Sequence, residues 1–181
     1  NQLLNKLRSG SQTPIDFTFN NIRTIEQFAK EVDEQLEMDS TSFLEALNNN
    51  AEVKQMGFDK DNIASLFIPN TYELYWNIDA DEFIDKMAKE YKKFWNEERM
   101  GKSEKIGLSP IDVSILASIV DKETNKTSEM PRIAGVYLNR LKKNWLLQAD
   151  PTLVFAIGDF EIKRVLDIHK EIESPYNTYK Y

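Results

Sequence analysis

By type and spacing, Glu123 is the residue best placed in this sequence to move a proton. Read as a helix from Ser109, the segment PIDVSILASIVDKE sets Ile111, Ile115 and Ile119 four apart, and the next member of that row is Glu123. A carboxyl that closes a buried row is partly desolvated, and desolvation favours the protonated form that a general acid needs. Asp121 lies about 200° away round a 3.6-residue helix and is the weaker candidate. Helix geometry alone leaves a second reading open, and it is the commoner one: a glutamate in a frayed last turn, paired with Lys126 or Arg132.

Other polar side chains gather in the segments that follow. Asn139 and Arg140, near the end of the next helix, can cap carbonyls or hold the acid. Gln148 and Asp150, just before Pro151, suit sugar hydroxyls or a tight Asx-type turn, and for Asp150 the local chemistry favours the turn. The tail Ser174-Pro175-Tyr176-Asn177-Thr178-Tyr179 is loop-like and rich in hydrogen-bonding groups. Tyr72, Tyr75 and Trp76 can stack on sugar rings, although aromatics at such spacing more often fill a core. His169 reads as a surface or packing histidine. No phosphate-binding glycine loop, nucleophile elbow or zinc motif occurs.

These residues need a scaffold, and 181 residues with 41% hydrophobic and 11% aromatic content suffice to bury a core. The formal charge of -7, with acids and bases interspersed, argues against a nucleic-acid surface. The lack of cysteine and the single histidine exclude disulfides, thiolate metal sites and multi-histidine ligation, and no cofactor is expected. No window reaches the roughly 20 apolar residues that span a bilayer.

The spacing of Leu3, Leu4 and Leu7 predicts the tail of a helix. Ile15 to Phe19 alternates as a strand, and Thr24 caps a helix carrying Phe28, Ala29, Val32 and Leu36. Ser40 or Thr41 starts another helix with Phe43, Leu44 and Leu47 inward, stopped by three asparagines. Ala64 to Ile68 reads as a strand or extended segment running towards Tyr72, Leu74 and Trp76, which gives β-α-α-β over residues 14–68. A helix from Asp79 or Asp81 to about Met100, a polar linker over Gly101–Gly107, a helix from Ser109 to Thr124 and one from Ser128 to Lys143 follow. Leu146 to Ile157 reads as extended or hairpin, and a short helix is expected near Ile162–Ile168. The fold class is therefore α+β, mainly helical after residue 68, with short strands.

The stretch LASIVDKETNKTSEMPRIAGVYLNRLKKNWLLQADPTLVFAIG, with SPYNTY and the upstream FIPNTYELYW, closely resembles the endolytic murein transglycosylase family, also called YceG-like or MltG-type. These motifs are long, ordered and spread over about 110 residues of the chain. The acidic residue of the KET triplet matches the family's catalytic glutamate and falls at Glu123, which reverses the balance of the geometric reading. The resemblance also implies cleft residues at Gln148, Asp150, Tyr176, Asn177 and Tyr179, with Glu73, Asn139 and Arg140 matching family motifs as substrate-binding or supporting positions.

What the resemblance implies is cleavage of peptidoglycan between N-acetylmuramic acid and N-acetylglucosamine within the strand. One glutamate acts as acid and then base, leaving 1,6-anhydromuramyl ends, with a role in terminating nascent strands and cell-wall synthases as possible partners. The alternative is a non-catalytic peptidoglycan-binding or cell-wall scaffold protein. Residues 1–68 are expected to form a LysM-like module and residues 69–181 the catalytic domain. Family members are anchored in the cytoplasmic membrane by an N-terminal helix and act outside, in the periplasm of Gram-negative cells. The expectation is of a stretch excised at both ends from such a protein, without the anchor and without the Gly-Leu-Pro-Pro segment that continues the family pattern.

Overall fold

Alternation of Phe17 and Phe19 with Asp16 and Thr18 gives a strand with one apolar face. In the computed structural model, which describes residues 4, 8, 10 and 12–181, this strand is β1 (Ile15–Phe19). The helical spacing at Leu3, Leu4 and Leu7 lies outside the described residues apart from Leu4. β1 pairs antiparallel with β2 (Asn70–Leu74), Phe17 opposite Tyr72 and Ile15 opposite Leu74. On the outer face the hydroxyls of Thr18 and Thr71 bond across the strands at 2.8 Å.

Between the strands run α1 (Ile25–Gln35), α2 (Ser40–Asn49), α3 (Ala51–Gln55) and a 3-10 turn, Ile63–Leu66. Each start has a local cause. Thr24 accepts from the Gln27 N–H, and Asp39, one residue before the expected Ser40, accepts from both Thr41 and Ser42. Asn50, read as part of a breaker, ends α2 and then caps α3 through the Val53 N–H. The strand expected at Ala64–Ile68 is this 3-10 turn: Ile63, Leu66 and Phe67 are buried on successive turns rather than in alternation, and pairing begins only after Pro69.

α4 (Ala80–Phe94) buries Phe83, Ile84, Met87, Ala88 and Tyr91. With Phe17, Phe28, Phe43 and Phe67 it completes an aromatic core whose rings meet mostly edge to face, Phe17 and Phe83 at 5.4 Å between centroids. The helix ends at Phe94, short of Met100, and α5 (Glu97–Ile106) occupies most of the stretch expected to be a linker. Asn96 starts α5 by accepting the Arg99 N–H at 3.0 Å.

The chain divides into two units, Asn1–Arg99 and Met100–Tyr181. β2, which pairs with β1, and α4, which fills the same core, both belong to the first unit. The second unit contains α6 (Pro110–Glu123), α7 (Met130–Lys142), α8 (Asp150–Ile157) and a 3-10 turn, Asp167–Glu171, slightly later than the short helix expected at Ile162–Ile168. The extended or hairpin region expected over Leu146–Ile157 is helical from Asp150: Pro151 sits in the first turn, and Gly158 closes the helix with a left-handed φ of 78°. Among the described residues the fold is α+β, mostly helical with one two-stranded sheet. Among the described residues, no helix is long and apolar enough to cross a membrane.

Candidate active site

The second unit is built so that three helix ends converge. Ser109 and Asp112 form a capping box, the Ser109 hydroxyl accepting from Asp112 N–H at 3.1 Å and the Asp112 carboxylate accepting from Ser109 N–H at 3.0 Å. That start fixes the phase of α6, whose buried residues are Leu116, Ile119 and Val120. α7 packs against α6, and Tyr137 and Ala149 join the same core.

Glu123 is the last residue of α6, following Ile119 by one turn. The expected buried row is only partly buried, since Ile115 is 42% exposed. Glu123 itself is exposed: α6 ends there, and Thr124 turns away in an extended conformation. The side chain is nevertheless fixed. Its Oε1 accepts the Tyr137 hydroxyl at 2.6 Å. Lys126, the partner considered for a frayed turn, pairs instead with Glu129 at 3.1 Å. Asp121 is exposed and pairs with Lys122 at 2.9 Å.

Glu123, Tyr137, Arg140, Gln148, Asp150 and Tyr179 line one open groove of about 290 Å³, with Ile133 and Val136 as its apolar wall. Arg140 donates through Nη1 to the Leu147 carbonyl, tying α7 to the segment before α8. Gln148 has a left-handed φ of 51°, a conformation that costs a non-glycine residue about 1 kcal/mol. The Gln148 N–H donates to the Thr178 carbonyl at 2.8 Å, and the Ala149 N–H to Thr178 Oγ1 at 3.0 Å. The tail therefore holds the start of α8. Asp150, the first residue of α8, accepts the Tyr179 hydroxyl at 2.5 Å rather than closing an Asx turn of its own.

Both groove tyrosines are hard to ionise. Burial, then the hydrogen bond to Glu123, pushes the Tyr137 phenol well above the usual tyrosine range. Burial, then the bond to Asp150, pushes Tyr179 up to about 12. The Arg140 charge opposes both shifts. At neutral pH both phenols are proton donors.

Of the residues named from the sequence, Glu123, Arg140, Gln148, Asp150 and Tyr179 come together in the groove. Asn177 does not line it. Fully buried, it donates to the carbonyls of Lys170 and Ile172 at 2.8 Å and accepts the Tyr179 N–H, so it folds the tail that presents Tyr179. The Tyr176 ring meets Phe155 edge to face at 5.0 Å. Asn139 is exposed on α7, and Glu73 belongs to the first unit, on the solvent face of β2 opposite Asp16. His169 serves the backbone, Nδ1 accepting the Leu166 N–H at 3.1 Å. Tyr72 is core, while Tyr75 and Trp76 are about half exposed. Among the described residues, no three acidic or histidine side chains gather as a metal site. Tyr137 was not singled out from the sequence as a site residue. Its signal was a tyrosine in the apolar row of α7, which when buried needs a partner for its hydroxyl.

The YceG-like family matches residues 1–181, and the chain belongs to that family. Among curated proteins it is 46% identical over 65 residues to the endolytic murein transglycosylase of Bacillus subtilis, covering 36% of this chain and 18% of that protein. It is 28% identical over 162 residues to the endolytic murein transglycosylase of Streptococcus pneumoniae, covering 87% of this chain and 29% of that protein. The chain thus spans less than a third of the length of these relatives. A yceG-like protein of Listeria monocytogenes has the same fold, with a TM-score of 0.75 at 24% identity over 99% of this chain and 64% of its own.

Proposed function

We propose that this chain belongs to an endolytic murein transglycosylase and that its second unit cleaves the β-1,4 bond between N-acetylmuramic acid and N-acetylglucosamine within peptidoglycan strands. The observation that supports this most is Glu123: an exposed carboxyl that accepts the neutral Tyr137 hydroxyl, in a groove lined with hydrogen-bonding side chains. Relatives named endolytic murein transglycosylase match over most of the chain.

The protonated Glu123 gives its proton to the glycosidic oxygen as the C1–O bond breaks and positive charge develops at C1. The resulting carboxylate takes the proton of the muramyl C6 hydroxyl, whose oxygen closes the 1,6-anhydro ring. No water is consumed, and one residue is acid and then base. A hydrolase ordinarily needs a second carboxylate to activate water or attack C1. The second acid of the groove, Asp150, has one oxygen engaged by Tyr179, which fits a role in binding sugar hydroxyls with Gln148. The strand-terminating role and an extracytoplasmic location follow from the same reading.

For the first unit the order β1-α1-α2-β2, interrupted by α3 and the 3-10 turn, supports a LysM-like module. Its function would be to hold glycan while the second unit cuts. Digestion of purified murein in heavy-oxygen water tests the activity. Unlabelled anhydromuramyl ends are expected, and reducing ends carrying the heavy oxygen would establish a hydrolase instead.

A further inference from the structure

Resting on the transglycosylase reading, we propose that Tyr137 is a positioning residue: it holds Glu123 by Oε1, so that Oε2 alone carries out both proton transfers and Oε1 is not available to deprotonate a water. The bond is 2.6 Å long and joins residues on different helices. Tyr137 is 5% exposed and shares a buried cluster with Leu116, Ile119, Val120 and Ala149, so the anchor belongs to the core of the unit. Glu123 has no comparable restraint of its own. It ends α6, is exposed, and has no ion pair among the described residues. An unrestrained glutamate side chain at a helix end samples several rotamers. No hydrogen bond reaches Oε2 among the described residues, which leaves it as the oxygen available to substrate.

The consequence for the reaction is specific. Oε2–H protonates the glycosidic oxygen, and the electron pair of the C1–O bond leaves with that oxygen. Oε2 then takes the C6 hydroxyl proton while the C6 oxygen bonds to C1, which restores the protonated carboxyl. Throughout, Oε1 is occupied by a phenol that burial keeps protonated. If the phenol is removed, Oε1 becomes a second base and the carboxylate can turn. A solvent water can then lose its proton to Oε1 and bond through its oxygen to C1, giving a reducing end rather than an anhydro end.

The test compares the full chain with Tyr137→Phe and Glu123→Gln on purified murein strands in heavy-oxygen water, reading kcat, KM and the label at new ends. For Tyr137→Phe, kcat is expected to fall about ten- to a hundred-fold, with KM within about two-fold and a measurable fraction of labelled reducing ends. A residue that only packs would lower kcat in proportion to the unfolded fraction and leave the ends unlabelled, and that outcome overturns the proposal. An inactive wild-type chain would overturn the transglycosylase reading itself. A readout independent of activity separates the two: the Tyr137 hydroxyl proton is expected as a slowly exchanging downfield NMR resonance that Glu123→Ala abolishes. Its absence from the wild-type spectrum would overturn the positioning role even in an active chain.

Discussion

Thr178→Val would test how the tail holds the groove together. Thr178 Oγ1 accepts the Ala149 N–H at 3.0 Å and lies 2.8 Å from Thr152 Oγ1. Thr152 donates its proton to the Ala149 carbonyl at 2.8 Å, so Thr178 is the donor in the threonine pair. Ala149 is fully buried and, as the N-cap of α8, offers no side chain to stabilise that end. Replacing the hydroxyl with a methyl keeps the shape but strands the Ala149 N–H, at about 1–3 kcal/mol for an unsatisfied buried donor. Thr152 keeps its bond to the Ala149 carbonyl, so its loss adds little. For a unit of this size each kcal/mol lowers Tm by roughly 4–8 °C. Thermal unfolding followed by circular dichroism is the assay, with Thr152→Val as a companion expected to cost less. An unchanged midpoint for Thr178→Val would refute the argument that the tail anchors α8.

Three further outcomes are expected. Ser109→Ala removes one half of the capping box and should cost about 1 kcal/mol of stability, read as a lower denaturant midpoint at unchanged m-value. Burial raises Tyr91 to about 12; a group whose folded value is raised contributes stability fully below the unfolded value of about 10, so chemical stability should be level to that pH and fall as pH rises towards 12. A steady rise across that interval would contradict it. Asp150→Asn removes the charge facing Tyr179 and should move the ionisation of that phenol, seen by ultraviolet difference absorption, down from about 12; no movement would mean that the 2.5 Å bond does not persist in solution.

The sequence signals that succeeded were short in range. Ser109-Pro110-Ile111-Asp112 carries its own start signal, and α6 runs from Pro110 as that signal predicts. The alternation in β1 likewise needs only adjacent residues. Where local signals competed, the reading slipped. Gly101 and the charges around it suggested a linker, but Asn96 supplies a cap, and glutamate, lysine, arginine and methionine are good helix formers that outweigh one glycine. In α8 the apolar run after Pro151 carried no period to separate helix from strand, and the proline in the first turn and the left-handed Gly158 are what identify it.

The groove shows the same division. Helical phase singled out Glu123 but took Ile115 to be buried, and so expected a desolvated carboxyl where the structure has an exposed one. The Tyr137–Glu123 and Tyr179–Asp150 bonds join residues 14 and 29 positions apart. Such pairs have no local pattern, and only tertiary packing brings them together. Asn177 shows the converse: its motif is plain in the sequence, but its side chain is spent on the backbone of the tail, which leaves presentation of the groove to Tyr179.

Glu123→Gln addresses the central claim most directly, because the amide keeps an oxygen that can accept from Tyr137 and so preserves the local geometry while removing the transferable proton. Mass spectrometry of the fragments released from purified murein by the wild-type and variant chains, alongside sedimentation of each with insoluble murein, is the measurement. The account predicts anhydromuramyl ends from the wild type, none from the variant, and equal binding by both. Anhydromuramyl ends released by the variant at the wild-type rate would contradict it.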